Sequence, residues 1–212
     1  MVKRTQNVID LFDKYAIQYQ EKYMDVGLYS DAIDILCKWV NKSDAIILEI
    51  ACGPGNLTSY ILNQNPKYDI LGIDISPAMV ELAKKNNPLA KFKTMDCRNI
   101  DQLVTKYDGI VGGFCLPYLN RDEAEKFIHD CSALLNSKGV IYLSTMEGDY
   151  KNSGYEISKS NPDDKLYTHY YQAQYLIDVL KQNNFRKVKL ICQKNPEPKS
   201  KPIIDLLIIA KK

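Results

Sequence analysis

Five strand-like runs alternate with helical patterns through the middle of the chain. The runs lie at residues 45–50, 68–74, 90–96, 107–114 and 139–147, and the helical patterns lie at 56–64, 76–86 and 120–136. Parallel strands need crossover connections of about this length, and strands buried on both faces read as nearly continuous apolar runs. The order therefore predicts an α/β fold in which helices cover both faces of a parallel sheet.

Helical patterns also precede this alternating unit. Apolar residues recur at three- and four-residue steps over 5–23, which predicts one helix, and a second helix is predicted over 29–41 with Ser30 as its N-cap. A chain of 212 residues with 45% hydrophobic residues has the size of one globular domain. We expect a single domain over 1–212 in which residues 1–42 form a helical extension or lid.

The C-terminal part adds a polar segment, a helix and two strands. Residues 148–169 are polar and rich in turn-forming residues, which indicates a surface excursion, and helical spacing resumes over 170–184. Two strand-like runs, 185–193 and 202–212, flank the turn-rich KNPEPKSK. Because this connector is short, the two strands must be antiparallel. The sheet is thus predicted to have seven strands, mostly parallel with the last one antiparallel.

Charge and cysteine usage narrow the possible partners and compartment. The formal net charge is +2, from 28 basic and 26 acidic residues spread along the chain, which disfavours nucleic acid and anionic membranes. The six cysteines form no C-x-x-C pair and mostly lie in apolar runs, as expected of buried hydrophobic residues and not of a metal site or disulfides. No run reaches membrane-spanning length. We expect a cytoplasmic protein without a metal, either monomeric or homodimeric.

The stretch ILEIACGPGN places a glycine pair, Gly53 and Gly55, in the first turn from strand to helix. In doubly wound sheets this turn belongs to the ligand crevice, and glycine allows positive φ angles and a close approach of the backbone. A glycine pair alone is equally compatible with a simple tight turn. A nicotinamide oxidoreductase is disfavoured, because Thr58 stands where the dinucleotide pattern needs its third small residue and Glu49 has no role in that pattern.

LEIACGPGN resembles the first motif of class I S-adenosylmethionine-dependent methyltransferases, an acidic residue followed by a small-x-Gly-x-Gly turn. LGIDISPAMVELAKK, TMDCRNI, YDGIVGGFCLPYL and HYYQAQYLIDVLKQNNF resemble later parts of that family, so the resemblance covers nearly the whole chain. Ala51 stands where the family often has its first glycine, and alanine is a tolerated variant there. The resemblance implies a Rossmann-like fold and S-adenosyl-L-methionine as cofactor.

The resemblance also implies a cofactor site with named residues. They are Tyr15, Tyr19, Glu49, Ala51, Cys52, Gly53, Gly55, Asn56, Asp74, Ile75, Met79, Asp96, Cys97, Gly113 and Phe114. Glu49 would order the glycine turn and face the methionine part, Asp74 would accept the ribose hydroxyls, and Asp96 would take the adenine amino group. Each aspartate could instead be a turn residue, Met79 could be plain core, and Tyr19 could belong to a tyrosine stripe that packs on the domain.

The methyl acceptor is less defined by the sequence. Nucleic-acid amino methyltransferases carry an Asn/Asp-Pro-Pro-aromatic signature at the end of strand four, where this chain reads GGFC at 112–115, and the Pro-Cys nucleophile of cytosine-C5 enzymes is absent. Both differences favour a small-molecule acceptor. The candidate catalytic residues are Tyr118, Glu147 and His169, although His169 could equally hold a structural hydrogen bond. A cofactor-binding regulatory or partner subunit without its own catalysis stays an alternative.

Overall fold

The computed structural model of the protein describes residues 2–158, 161–195 and 203–212. The α-helices are α1 Val2–Lys14, α2 Ala16–Tyr23, α3 Ser30–Val40, α4 Asn56–Gln64, α5 Pro77–Asn86, α6 Arg121–Leu134 and α7 Ala173–Gln182. The strands are β1 Ile46–Ile50, β2 Asp69–Asp74, β3 Lys91–Thr94, β4 Tyr107–Gly112, β5 Leu135–Met146, β6 Gly154–Ile157, β7 Lys165–Thr168, β8 Lys187–Lys194 and β9 Ile204–Lys211.

Among these residues, seven strands form one sheet in the order β3-β2-β1-β4-β5-β9-β8. The strands from β1 to β5 pair in parallel, whereas β9 is antiparallel to both β5 and β8. The predicted Rossmann-like sheet, mostly parallel with an antiparallel last strand, is therefore confirmed. Strand order reverses between β1 and β4, and Ile50 at the end of β1 lies between Ile73 and Gly112. The carboxyl ends of β1, β2 and β4 thus meet at one edge.

Both faces of the sheet are covered by helices. Ile47 and Leu48 are 1% and 0% exposed, and they lie in two different apolar clusters on opposite faces of β1. Ile33 of α3 lies in the cluster that contains Ile47, and Phe127 of α6 lies in the cluster that contains Leu48. This two-sided burial explains why β1 reads as an uninterrupted apolar run in the sequence.

The helix starts follow the capping chemistry of the sequence at two places. Ser76 caps α5, since its hydroxyl accepts a hydrogen bond of 3.1 Å from the backbone N–H of Met79, and Pro77 occupies the first turn. Asn120 forms a capping box with Glu123 at the start of α6. The predicted cap at Ser30 is wrong. Ser30 is the first residue of α3 and its hydroxyl donates instead to the carbonyl of Gly27, because a short 3₁₀ turn over Gly27–Tyr29 leads directly into the helix.

The N-terminal helix is broken where a single helix was predicted. Tyr15, with φ −110° and ψ 16°, separates α1 from α2, and its hydroxyl donates a hydrogen bond to Asp164. The predicted surface excursion over 148–169 contains a two-stranded antiparallel sheet of β6 and β7. The side-chain amide of Asn7 in α1 donates to the carbonyl oxygen of Lys165 in β7, with N and O 2.6 Å apart. The helical extension and the excursion therefore contact each other.

Three remaining expectations concern the turn over 194–201, the cysteines and membrane-spanning length. The predicted turn over 194–201 lies outside the described residues apart from 194 and 195. Cys52, Cys115 and Cys131 are buried, as expected of cysteines in apolar runs, whereas Cys192 is exposed on β8. Within the described ranges no helix combines the length and apolarity needed to cross a membrane.

Candidate active site

The turn between β1 and α4 takes left-handed backbone conformations at alternate positions. The φ angles of Ala51, Gly53 and Gly55 are 55°, 53° and 80°. A Cβ added to Gly55 would lie 2.4 Å from the side-chain nitrogen of Asn87, whereas one added to Gly53 would meet only the ring of Tyr19 at 3.7 Å. Gly55 is thus required by the packing of the turn itself, while Gly53 leaves its inner side free for a ligand.

Two amides at the end of α5 hold this turn, and the sequence analysis missed both. The Asn87 amide donates to the carbonyl of Gly55 at 2.9 Å and accepts from the hydroxyl of Ser59 at 2.7 Å. Asn86 donates to the carbonyl of Pro54 at 2.8 Å. The only signal in the sequence was the consecutive pair of asparagines after an amphipathic helix, which is also an ordinary helix ending.

Asp74 ends β2 beside the glycine turn. One carboxylate oxygen accepts from the backbone N–H of Gly53 at 2.9 Å and the other from that of Ser76 at 2.9 Å. The side chain is 8% exposed, and burial raises its pKa. Each oxygen keeps a second lone pair, so the carboxylate can still accept hydrogen bonds from two neighbouring hydroxyl groups.

Glu49 lies behind the turn and not on the cavity wall. It is 1% exposed and accepts a hydrogen bond from the hydroxyl of Thr58, which explains the polar residue at that position. Burial raises the pKa of Glu49 to about 8. The structure shows that Glu49 contacts α4, the helix that follows the turn, whereas its ordering of the turn and its contact with a methionine group stay predictions.

A cavity of about 1000 Å³ opens at this edge of the sheet, beneath α1, α2 and the β6–β7 hairpin. The predicted residues that line it are Tyr19, Ala51, Gly53, Asp74, Ile75, Met79, Asp96, Cys97, Gly113, Phe114, Tyr118 and His169. The structure thus brings together most of the predicted cofactor residues and two of the three candidate catalytic residues.

The six remaining predicted residues do not line the cavity, and their contacts are with other parts of the protein. Tyr15 binds Asp164, and Asn56 donates to the carbonyl of Tyr23 at 2.8 Å. Glu147 accepts from the backbone N–H of Ala173 at 3.0 Å, at the first residue of α7, where a carboxylate stabilises the helix start. The other three are the buried Cys52, Gly55 in the turn, and Glu49.

Asp96 has a partner that the sequence analysis did not foresee. Its two carboxylate oxygens accept from Nε of Arg98 at 2.9 and 3.0 Å, and Nη2 of Arg98 lies 2.8 Å from one of them. Arg98 also reaches Glu123, with Nη1 and Oε1 3.2 Å apart. The adenine contact of Asp96 stays a prediction, and it would have to use the lone pairs that Arg98 leaves free.

The N-terminal helices form the roof of the cavity. Asp13 of α1 accepts from the hydroxyl of Ser76 and from the backbone N–H of Ala78 at 3.1 Å, which anchors α1 at the start of α5. The ring of Tyr19 lies over the glycine turn, 4.6 Å from the ring centre of Tyr23. Burial raises the pKa of Tyr19, so it stays a neutral phenol at physiological pH. Asp13 was missed because nothing in the local sequence distinguishes it from a solvated helical acid.

Tyr118 and His169 line the same cavity beneath this roof. The ring of Phe12 lies between the two halves, 5.9 Å from Tyr19 and 5.5 Å from Tyr118. The His169 ring stacks on Tyr150 at 5.5 Å and contacts Tyr167 at 4.9 Å. It is 6% exposed, and its Nδ1 has no hydrogen-bond partner in the described part of the chain.

The protonation states of these two residues follow from their surroundings. Burial lowers the pKa of His169, and Arg4 lowers it further, so the imidazole is neutral at physiological pH. Burial raises the pKa of Tyr118, which therefore stays protonated as a hydrogen-bond donor. A neutral imidazole and a neutral phenol face one cavity, where they can orient a nucleophile and accept its proton.

Comparisons with known proteins agree with this geometry. A family model described as a methyltransferase domain matches residues 47–139. An uncharacterized methyltransferase of Oceanobacillus iheyensis is 32% identical over 146 residues, which are 65% of this chain and 67% of that protein. A putative methyltransferase of Invertebrate iridescent virus 6 is 33% identical over 101 residues, 48% of this chain and 37% of that protein. This chain thus spans well under half of the viral relative and two thirds of the bacterial one.

A solved structure extends the likeness over nearly the whole chain. The 1,6-didemethyltoxoflavin-N1-methyltransferase of Burkholderia thailandensis, with bound 1,6-didemethyltoxoflavin and S-adenosylhomocysteine, superposes with a TM-score of 0.69 at 21% identity and covers 98% of this chain and 88% of that chain. The fold and the glycine turn define a Rossmann-like methyltransferase. The chain belongs to the class I S-adenosylmethionine-dependent methyltransferases, whose cofactor is S-adenosyl-L-methionine.

Proposed function

We propose that the protein transfers the methyl group of S-adenosyl-L-methionine to a small-molecule acceptor held in the cavity beneath α1 and α2. The observation that carries this proposal is the continuity of one cavity, which joins Asp74 and Gly53 to Tyr118 and His169 under a common roof. A deep cavity beneath a helical roof suits a small molecule better than a polymer. The Burkholderia structure supports the same reading, since it holds a small molecule beside S-adenosylhomocysteine.

The residues of the inner half suit the cofactor. Gly53 offers backbone without a side chain, and the Asp74 carboxylate can accept from two ribose hydroxyls. Aromatic faces at Tyr19 and Tyr23 favour a cationic group nearby. When bound, S-adenosyl-L-methionine supplies an electrophilic methyl group on a cationic sulfur, which leaves as the neutral thioether after in-line displacement.

The chain's own contribution is to place the acceptor and to exclude water. Phe12, Tyr19 and Tyr118 form aromatic walls on either side of the reaction space, and their placement restricts the acceptor to few orientations. The neutral imidazole of His169 accepts the acceptor's proton, and the phenol of Tyr118 donates a hydrogen bond to it. Neither group forms a covalent intermediate, since the transfer is a single displacement.

The test is turnover with a matched histidine control. Formation of S-adenosylhomocysteine is measured with a panel of small acceptors for the native protein, His169→Asn, Tyr118→Phe and His129→Asn. His129 lies on α6, where its Nδ1 is 3.2 Å from the side-chain oxygen of Asn183, and it does not line the cavity.

The native protein and His129→Asn should turn over at the same rate, whereas His169→Asn should be slower by 10²–10⁴-fold, the usual worth of a positioned base. Affinity for S-adenosylhomocysteine should be equal in all four proteins. Tight cofactor binding with no turnover on any acceptor would contradict the proposal and favour a regulatory subunit.

A further inference from the structure

The outer end of the cavity, farthest from the glycine turn, is cationic and aromatic. It is formed by the start of α1 and by the β6–β7 hairpin. The guanidinium carbon of Arg4 lies over the ring of Tyr167 at 4.1 Å, and Nζ of Lys165 lies 5.5 Å from the ring centre of Tyr155. The two tyrosine rings contact each other edge to face at 5.2 Å. All four side chains line the cavity.

Arg4 and Lys165 are cations that have no acidic partner among the described residues. The third cation on the wall, Arg98, is already neutralised by Asp96 and Glu123. The outer end therefore has two positive charges whose side-chain contacts, within the part of the chain that the structure describes, are with aromatic rings.

The other two acids on the cavity wall, Asp74 and Asp10, lie away from the outer end. Asp74 accepts two backbone hydrogen bonds at the inner end, and Asp10 accepts from Gln6 at 2.8 Å. Asp10 lies six residues after Arg4 on α1, about 9 Å along the helix towards the inner end. The carboxylate nearest in sequence is thus displaced from Arg4 by more than one turn.

Arg4 is far from the cofactor half and close to the proposed proton acceptor. Asp13, which anchors α1 at Ser76 beside Asp74, is nine residues away, or about 14 Å along the helix. The ring of Tyr167 links Arg4 to His169, since its centre lies 4.1 Å from the guanidinium carbon of Arg4 and 4.9 Å from the ring centre of His169. A molecule that reaches His169 from the outer end therefore passes Arg4.

We propose that the methyl acceptor is a planar carboxylic acid whose carboxylate binds Arg4, with Lys165 as a second cation. This inference rests on the proposed function. A guanidinium that lies over an aromatic face keeps its N–H donors pointing outward in its plane, which matches the two oxygens of a carboxylate. The rings of Phe12, Tyr118 and Tyr167 suit a planar body between the carboxylate and the methyl group.

The experiment compares acids with their primary amides on the protein saturated with S-adenosylhomocysteine. Calorimetry measures binding of benzoate, 4-hydroxybenzoate and indole-3-carboxylate, each against its amide, to the native protein, Arg4→Gln, Lys165→Gln and Arg186→Gln. Arg186 is an exposed arginine at the opposite edge of the sheet, where its backbone N–H donates to the carbonyl of Lys211, so it is a matched charge control.

At least one acid should bind ten-fold more tightly than its amide, with an affinity that falls as salt is raised. Arg4→Gln should lose that preference and Arg186→Gln should keep it. Binding of all acids and amides with equal affinity, or of none, would overturn the inference, as would an acid preference that survives in Arg4→Gln.

A preceding titration of S-adenosylhomocysteine into each protein without ligand reports separately on the proposed function. If it binds and no acid is preferred, only the acceptor class is wrong. If it does not bind at all, the proposed function itself fails.

Discussion

The substitution Gly55→Ala tests whether the glycine turn is held by α5 as the structure shows. The residue has φ +80°, a conformation that costs a non-glycine residue about 1–2 kcal/mol. The new Cβ would also lie 2.4 Å from the Asn87 side chain and 3.3 Å from the backbone of Ala83. Asn87 must then leave its hydrogen bonds to Gly55 and Ser59, and unpaired buried groups cost about 1–3 kcal/mol.

The expected loss of unfolding free energy is therefore about 2–5 kcal/mol. For a protein of this size, each 1 kcal/mol lowers Tm by roughly 2–4 °C, so a decrease of about 10 °C is expected. The matched control is Gly53→Ala, which has a similar φ of +53° but meets only the Tyr19 ring at 3.7 Å. It should lose about 1–2 kcal/mol of stability.

Differential scanning calorimetry of both variants, each with native Asn87 and with Asn87→Ala, checks this reasoning. With Asn87→Ala already present, Gly55→Ala should cost less than it does in the native protein and approach the cost of Gly53→Ala, since the clash with the Asn87 amide and its hydrogen bonds are gone and only the 3.3 Å contact with Ala83 remains. Equal destabilisation by the two alanines in the native protein would refute the assignment of Gly55 to packing and Gly53 to the cavity.

Three further predictions concern the turn, the buried acid and helix α1. Ala51→Gly should leave Tm unchanged or raise it by a few degrees in thermal melts. Ala51 has φ 55°, so glycine relieves about 1–2 kcal/mol of backbone strain, which outweighs its conformational-entropy cost of about 0.5–1 kcal/mol. A clear loss of stability would contradict this. Without cofactor, Glu49 is protonated in the folded protein up to about pH 8 but ionises from about pH 4.5 when the chain is unfolded, so its presence lowers the free energy of unfolding progressively across that interval. The Tm of Glu49→Gln minus that of the native protein should therefore rise from about pH 5 to about pH 8. A difference that does not change with pH would refute the raised pKa. Asp164→Asn weakens the contacts to Lys14 and Tyr15, and amide exchange should become faster in α1 with a small change in Tm, whereas the exposed control Asp69→Asn should leave α1 unaffected.

Much of the fold could be predicted from the sequence, because local signals and burial agree there. The helices α4 and α5 begin where glycine and Ser76 place them, and the apolar runs of β1 and β4 match strands covered on both faces. The break at Tyr15 could not be predicted, since the contact that accompanies it is with Asp164, which lies 149 residues away in sequence. The β6–β7 pairing was missed because short polar strands carry little periodic signal.

The positions of the candidate site residues could be predicted from the sequence, but their contacts could not. Residues at or just after the end of a strand, such as Asp74 and Asp96, could be placed at the cavity, because the family resemblance names them and the carboxyl ends of parallel strands meet at one edge. What their side chains contact could not be predicted. The pairing of Asp96 with Arg98 and the helix-capping position of Glu147 depend on neighbours in three dimensions.

The central claim, that this cavity binds S-adenosyl-L-methionine through Asp74, is tested most directly by calorimetry. S-adenosyl-L-methionine and S-adenosylhomocysteine are titrated into the native protein, Asp74→Ala and Asp69→Ala, with NAD as the control ligand. Asp69 begins the same strand at the opposite edge of the sheet, where it pairs with Lys91 at 2.9 Å. The account predicts micromolar binding to the native protein and to Asp69→Ala and its loss in Asp74→Ala. Absence of binding to the native protein, binding of NAD instead, or unchanged affinity in Asp74→Ala would contradict it.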